Sequence, residues 1–97
     1  MITKSTKKPH WYLYILQCRD QTFYTGITTD PDRRVCQHNA GTGSRYTRSR
    51  LPIRMIFCES CKNKSEALKK EYAIKRLNRS KKEEYIKTNH KFVRYWP

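Results

Sequence analysis

Acidic side chains are scarce in this chain: eight Asp and Glu stand against 22 Lys and Arg in 97 residues, a formal charge of +14. So one-sided a balance costs compact-state stability through self-repulsion, and solubility alone does not require it. The resulting pI near 10 points to a polyanionic partner, nucleic acid first. Long apolar runs are lacking too. The longest apolar clusters, Trp11–Leu16 and Leu51–Cys58, are strand-sized and far short of the roughly 18 consecutive apolar residues of a membrane-spanning helix. A soluble, monomeric, cytoplasmic protein with no membrane partner is therefore expected. The basic stretch 1–9 is followed by no apolar h-region of the signal-peptide kind, and it reads as a disordered leader and not as a secretory signal. Nor is there a repeat or a low-complexity block.

Cysteine is present but not in a metal-binding pattern. Cys58 and Cys61 form one C-x-x-C pair, half of a zinc site if Cys18, Cys36 or His38 converged on it, but no second C-x-x-C or paired His follows at the usual spacing. Without an export signal, reduced thiols are the expectation. A chain of this length folds as one domain, burying roughly two-thirds of its unfolded surface.

What is there reads as a small α+β domain with a three-stranded antiparallel sheet flanked by helices, over residues 10–88, followed by a tail at 89–97. The aromatic and β-branched runs Trp11–Leu16 and Phe23–Thr28 predict a hairpin with Asp20 and Gln21 near its turn. Gly26 inside the second run marks either a bulge or a close approach. Asp30-Pro31 starts a helix expected to run to about Ala40, with Gly41 as its left-handed stop. The segment 41–50 has almost no apolar residue and reads as a mobile basic loop. Pro52 opens a third strand through Cys58. Ser65 begins a second helix to about Asn78, with Leu68, Tyr72, Ile74 and Leu77 as its apolar positions, and Ser80 caps a third through Lys87.

Two constellations on these elements carry chemistry. Arg34 and His38, spaced i, i+4, project from one face of the first helix. Glu71 borders the apolar stripe of the second helix; a carboxylate there needs a cation, either Lys75 one turn on, as an ordinary surface pair, or a divalent metal.

Taken with Tyr12-Leu13-Tyr14, Tyr24-Thr25-Gly26, Arg34-x-x-x-His38-Asn39 and Glu71, the chain resembles the GIY-YIG nuclease family from about Trp11 to Tyr85. It is most similar to the short, single-domain bacterial members, and more distantly to the catalytic domains of nucleotide-excision and structure-selective junction endonucleases. Tyr12 stands where the first motif's glycine is expected. The resemblance implies a metal-dependent endonuclease that hydrolyses phosphodiester bonds in DNA, in repair or processing. It also implies roles: Tyr14 and Tyr24 as paired catalytic tyrosines, Arg34 as the phosphate-stabilising arginine, His38 as helper, and Glu71 as ligand of Mg2+ or Mn2+. Either Tyr24 or His38 is then the base. DNA, including branched or single-stranded forms, is expected to lie on Arg45, Tyr46, Arg48, Arg50, Lys69, Lys70, Lys81 and Lys82. The rivals are a catalytically silent nucleic-acid-binding module of the same fold and an RNA-associated basic protein.

Overall fold

The computed structural model describes residues 10–89; the expected leader, and all of the tail beyond Asn89, lie outside them. The central strand, β1 (Trp11–Gln17), is buried at four consecutive positions, Leu13 to Leu16. Both of its faces are covered, which is why its sequence is continuously apolar instead of alternating. Tyr14 and Leu16 look to one side with Val35, Ile53 and Met55. Leu13 and Ile15 look to the other with Phe57, Ala67 and Ile74.

Strand β2 (Phe23–Thr28) pairs antiparallel with one edge of β1 and β3 (Arg54–Cys61) with the other, giving the order β2-β1-β3. The hairpin turn is closed by the Asp20 carboxylate, which accepts from the Thr22 amide at 3.1 Å and its hydroxyl at 2.6 Å. Pairing runs unbroken past Gly26, so of the two readings of that glycine the bulge is wrong. The irregularity falls in β3, where Ile15 opposes Phe57 but Leu16 opposes Met55, leaving Ile56 as the extra residue.

Helix α1 (Pro31–Asn39) begins as expected, with the Asp30 side chain accepting from the Arg33 amide at 3.1 Å. It ends on Gly41, at φ 84, whose amide donates to the His38 carbonyl. The following segment is not a mobile loop. It contains a single helical turn, α2 (Arg45–Arg48), capped by Ser44 and holding a fully buried Thr47. Arg50 straps it to the hairpin: its Nε meets Asp20 at 3.1 Å and its NH1 donates to the Tyr46 carbonyl at 2.8 Å. Polar anchors replace the apolar ones the segment lacks.

On the other face lie α3 (Lys64–Lys75) and α4 (Arg79–Thr88). Both start on asparagines and not on the serines expected. Asn63 accepts from the Glu66 amide and Asn78 from the Lys81 amide, both at 2.9 Å, so α3 stops short of Asn78 and α4 begins immediately after it. The expected apolar stripe of α3 is also corrected. Ala67 and Ile74 face the sheet, while Leu68 and Tyr72 are 45% and 65% exposed. A small residue at the point of contact lets the helix lie close to the sheet and turns the larger neighbours outward; Arg76 then covers Tyr72, donating to its hydroxyl at 3.0 Å. No helix among the described residues is long and apolar enough to cross a membrane.

Candidate active site

Three elements bring four of the expected residues together on the α1 side of the sheet. Tyr14 comes from β1 and points to that face, and its cross-strand partner is Gly26. A methyl group built on Gly26 would sit 2.6 Å from the Tyr14 hydroxyl and 2.7 Å from Cζ. The close approach expected at this glycine is therefore that of the Tyr14 ring, which lies flat across the neighbouring strand. Tyr24, two residues earlier on β2, shares the face. Its ring centroid is 6.4 Å from that of Tyr14 and 5.2 Å from His38.

His38, on the inner side of α1, is fully buried. Its Nε2 is 3.1 Å from the Tyr14 hydroxyl and its Nδ1 is 2.8 Å from the Thr47 hydroxyl, which in turn is 2.9 Å from the Ser44 hydroxyl. Arg34, one turn earlier, donates from Nε to the Tyr14 oxygen at 3.3 Å. The guanidinium is held in place by the Gln37 side chain at 3.0 Å and the Gly43 carbonyl at 3.1 Å.

Burial dominates the electrostatics here. It pushes the Tyr14 phenol up to about 12, against the lowering effect of the Arg34 hydrogen bond and charge, with Tyr24 and Glu71 adding to the rise. Burial, with Arg34 second, pushes His38 down to about 4. At neutral pH Tyr14 is therefore a phenol and His38 a neutral imidazole. With Arg34 donating to the Tyr14 oxygen, the network assigns the phenolic hydrogen to His38 Nε2 and the imidazole hydrogen to Nδ1, donated to Thr47. Tyr24 differs: among the described residues its hydroxyl has no hydrogen-bond partner.

Asn39 joins this motif for another reason. Its side chain accepts from the Ile53 amide at 2.9 Å and donates to the Ile53 carbonyl at 3.1 Å, tying α1 to the start of β3. Gly43, Ser44 and Thr47 belong to the site although the sequence reading passed over them. A Cβ on Gly43 would lie 2.4 Å from His38 Nδ1, so the glycine packs flat against the imidazole. The available signal was Ser44 three residues before Thr47, a helix cap inside what read as a loop.

Glu71 stands on α3, in the layer across the sheet. Its carboxylate is 19% exposed and meets Lys75 at 3.2 Å. It makes no hydrogen bond to Tyr14, Tyr24, Arg34 or His38, but its charge reaches Tyr14. No group of three His, Cys, Asp or Glu gathers anywhere among the described residues. A lone part-buried carboxylate suits Mg2+, which takes one or two carboxylates and completes its shell with water and phosphate oxygens. The cysteine pair has another disposition. Three residues apart on β3, Cys58 and Cys61 enter core clusters on opposite faces of the sheet. All four cysteines are thiols.

Of the expected contact residues, Arg45 and Arg48 are exposed on α2 and Lys69 on α3, and Lys82 is half-buried on α4. Lys81 lies 3.7 Å from Glu84. Lys70 pairs with Glu59 at 2.6 Å, and the Tyr85 hydroxyl donates to the same carboxylate, an arrangement that pins α3 and α4 to β3. Tyr46 stacks on Tyr24 at 6.1 Å and carries the Arg50 guanidinium 3.9 Å above its ring. Beside Arg34 opens a polar cleft of about 230 Å3, bordered by Thr28, Thr29, Arg33 and Gln37.

A buried phenol and a buried imidazole are joined by hydrogen bonds to a half-buried arginine, with a second, half-buried phenol beside them, an arrangement suited to binding an anion. The model of the GIY-YIG catalytic domain matches residues 10–92, and the chain belongs to that family, one of nucleases whose substrates are nucleic acids. Family members generally use divalent metals. The chain is 48% identical over 87 residues to a UPF0213 protein of Desulfotalea psychrophila, covering 89% of this chain and 79% of the relative. It is 51% identical over 86 residues to a UPF0213 protein of Enterococcus faecalis, covering 87% and 97%. Two solution NMR structures share the fold. One, a UPF0213 protein of Bacillus halodurans, is 44% identical with a TM-score of 0.56 over 82% of this chain and 85% of that one. The other, from E. faecalis, is 48% identical with a TM-score of 0.61 over 86% and 88%.

Proposed function

We propose that this protein is a divalent-metal-dependent endonuclease that hydrolyses phosphodiester bonds in DNA, serving repair or another form of DNA processing. The observation that carries the reading is the gathering of Tyr14, Tyr24, Arg34 and His38 from three elements, with the Glu71 charge within reach of Tyr14.

Arg34 is the phosphate clamp. Its fixed guanidinium edges the polar cleft and offers donors toward a nonbridging oxygen. Tyr14, kept protonated by burial, donates and accepts at a fixed point. His38 has no solvent-accessible atom, so it cannot touch an attacking water, and it acts through the Tyr14 hydroxyl. That leaves Tyr24 beside the water to receive its proton. A phenol with a reference pKa near 10 needs nearby positive charge for that task. Glu71 is the residue to hold Mg2+ or Mn2+, which when bound supplies neutralising charge at the phosphate and the leaving oxygen. Its present partner Lys75 has a side chain 55% exposed, and so exposed an ion pair is weak enough to give way. Arg45, Arg48, Lys69, Lys81 and Lys82 are the backbone contacts, with Arg50 holding Tyr46 in position and Lys70 holding α3.

The Glu71–Lys75 pair is also what a non-cleaving nucleic-acid-binding module of this fold would contain. Incubating the protein with supercoiled, branched and single-stranded DNA, with and without Mg2+ or Mn2+, separates the two. Metal-dependent products from the wild type, and none from Glu71→Ala, support the endonuclease. Binding without products under every condition overturns it.

A further inference from the structure

The hairpin end of the sheet carries a second cavity, away from the Tyr14 cluster. Its volume of about 390 Å3 falls in the range of roughly 300–1,000 Å3 that holds organic ligands. Cys18, Pro52 and Ile53 line it with apolar surface, and the first and last of these are buried members of the same core cluster as Tyr14. The Gln17 amide donates to Gln21 Oε1 at 3.1 Å, leaving the Gln17 carbonyl and the Gln21 amino group with no other partner among the described residues. Arg19 and Arg54 also line it; both are exposed, and neither forms an ion pair among the described residues. Among the described residues no acidic side chain lines the cavity.

Its position relative to the catalytic cluster follows from the strand. Cys18 is four residues beyond Tyr14, about 13 Å at a strand's rise. The surface between is a run of aromatic and cationic groups: Tyr24 stacks on Tyr46, Tyr46 lies under Arg50, and the Arg50 carbonyl accepts from the Arg19 amide at 2.9 Å.

We propose that this cavity is a subsite for one unpaired nucleobase of the substrate strand, a few nucleotides from the scissile phosphate. It makes single-stranded or splayed nucleic acid the substrate class. This inference rests on the nuclease reading of the Tyr14 site. The apolar lining takes the face of a base, the two glutamines address its polar edge, and the arginines take the flanking phosphates. A base within a duplex is stacked on both faces and its pairing edge is occupied, so it does not enter.

The test is binding in EDTA, where no cleavage occurs, of a splayed-end duplex, a blunt duplex of the same sequence and a mononucleotide. Wild type is compared with the Arg19→Ala/Arg54→Ala double variant, and abasic sites are placed one by one along the splayed arms. The double variant is expected to lose about tenfold on the splayed duplex and less than threefold on the blunt one. Its salt slope should fall by about 1.4, the value for two single-strand phosphates. One abasic position should cost the wild type about tenfold and the double variant less. Equal losses on both duplexes with a flat abasic scan overturn the subsite while leaving the nuclease reading intact. A mononucleotide bound as tightly as the splayed duplex overturns it in favour of a free-nucleotide site. Failure of the wild type to bind any nucleic acid overturns both the subsite and the reading beneath it.

Discussion

Substituting Gly26 with alanine tests how closely the site is packed. The new methyl would lie 2.6 Å from the Tyr14 hydroxyl, 2.7 Å from Cζ and 3.2 Å from Cε2. Non-bonded carbon contacts are favourable only from about 3.5 Å, so the ring has to withdraw by about 1 Å. It has little room to do so. Tyr14 is 1% exposed and packs with Leu16, Val35 and Met55, and its hydroxyl is positioned between His38 at 3.1 Å and Arg34 at 3.3 Å. Overpacking of this kind costs about 1–3 kcal/mol, and a displacement of about 1 Å at a reacting group lowers turnover about 100-fold. Urea denaturation and single-turnover cleavage read the two effects separately. The clash is with the hydroxyl first, so repeating the substitution in a Tyr14→Phe background should recover about 1 kcal/mol of its cost. A Gly26→Ala protein with wild-type stability and rate would refute the steric argument.

His38 makes stability depend on pH. Its pKa falls from 6.5 in the unfolded chain to about 4 in the fold, so below pH 6.5 the unfolded state binds the proton first. Stability should be complete above 6.5 and decline by up to about 3 kcal/mol as pH falls through 4; denaturation midpoints in His38→Gln should lack that part of the decline. Thr47→Val removes the acceptor of the His38 Nδ1 hydrogen, leaving a buried donor unsatisfied at a cost of about 1–3 kcal/mol. It should also reduce kcat with little change in KM, since Thr47 orients His38 and touches no substrate; a pure KM effect would contradict that role.

The hairpin, the first helix and the pairing of Arg34 with His38 were legible because local chemistry determines them. Continuous apolar runs mark strands, Asp30-Pro31 marks a helix start, and a spacing of four residues places two side chains on one helix face. What escaped the reading depends on long-range contacts. The segment 41–50 has no apolar periodicity, and its order comes from Asp20, thirty residues before Arg50, and from a threonine buried under His38. The stripe of α3 misled because Leu68 and Tyr72 are larger than Ala67, while close approach to the sheet selects the smaller side chain. Tyr14 and Glu71 were connected by resemblance alone; they sit in different layers, and no local pattern relates them.

The proposed chemistry requires Glu71 and the Tyr14–Arg34–His38 cluster to act on one phosphate. Single-turnover cleavage of DNA titrated with Mg2+ in the wild type, Glu71→Gln and Arg34→Ala addresses it directly. A saturable, metal-dependent rate is expected in the wild type and a loss of at least about 100-fold in each variant, with the fold retained in both. Wild-type rates at saturating Mg2+ in both variants would contradict it.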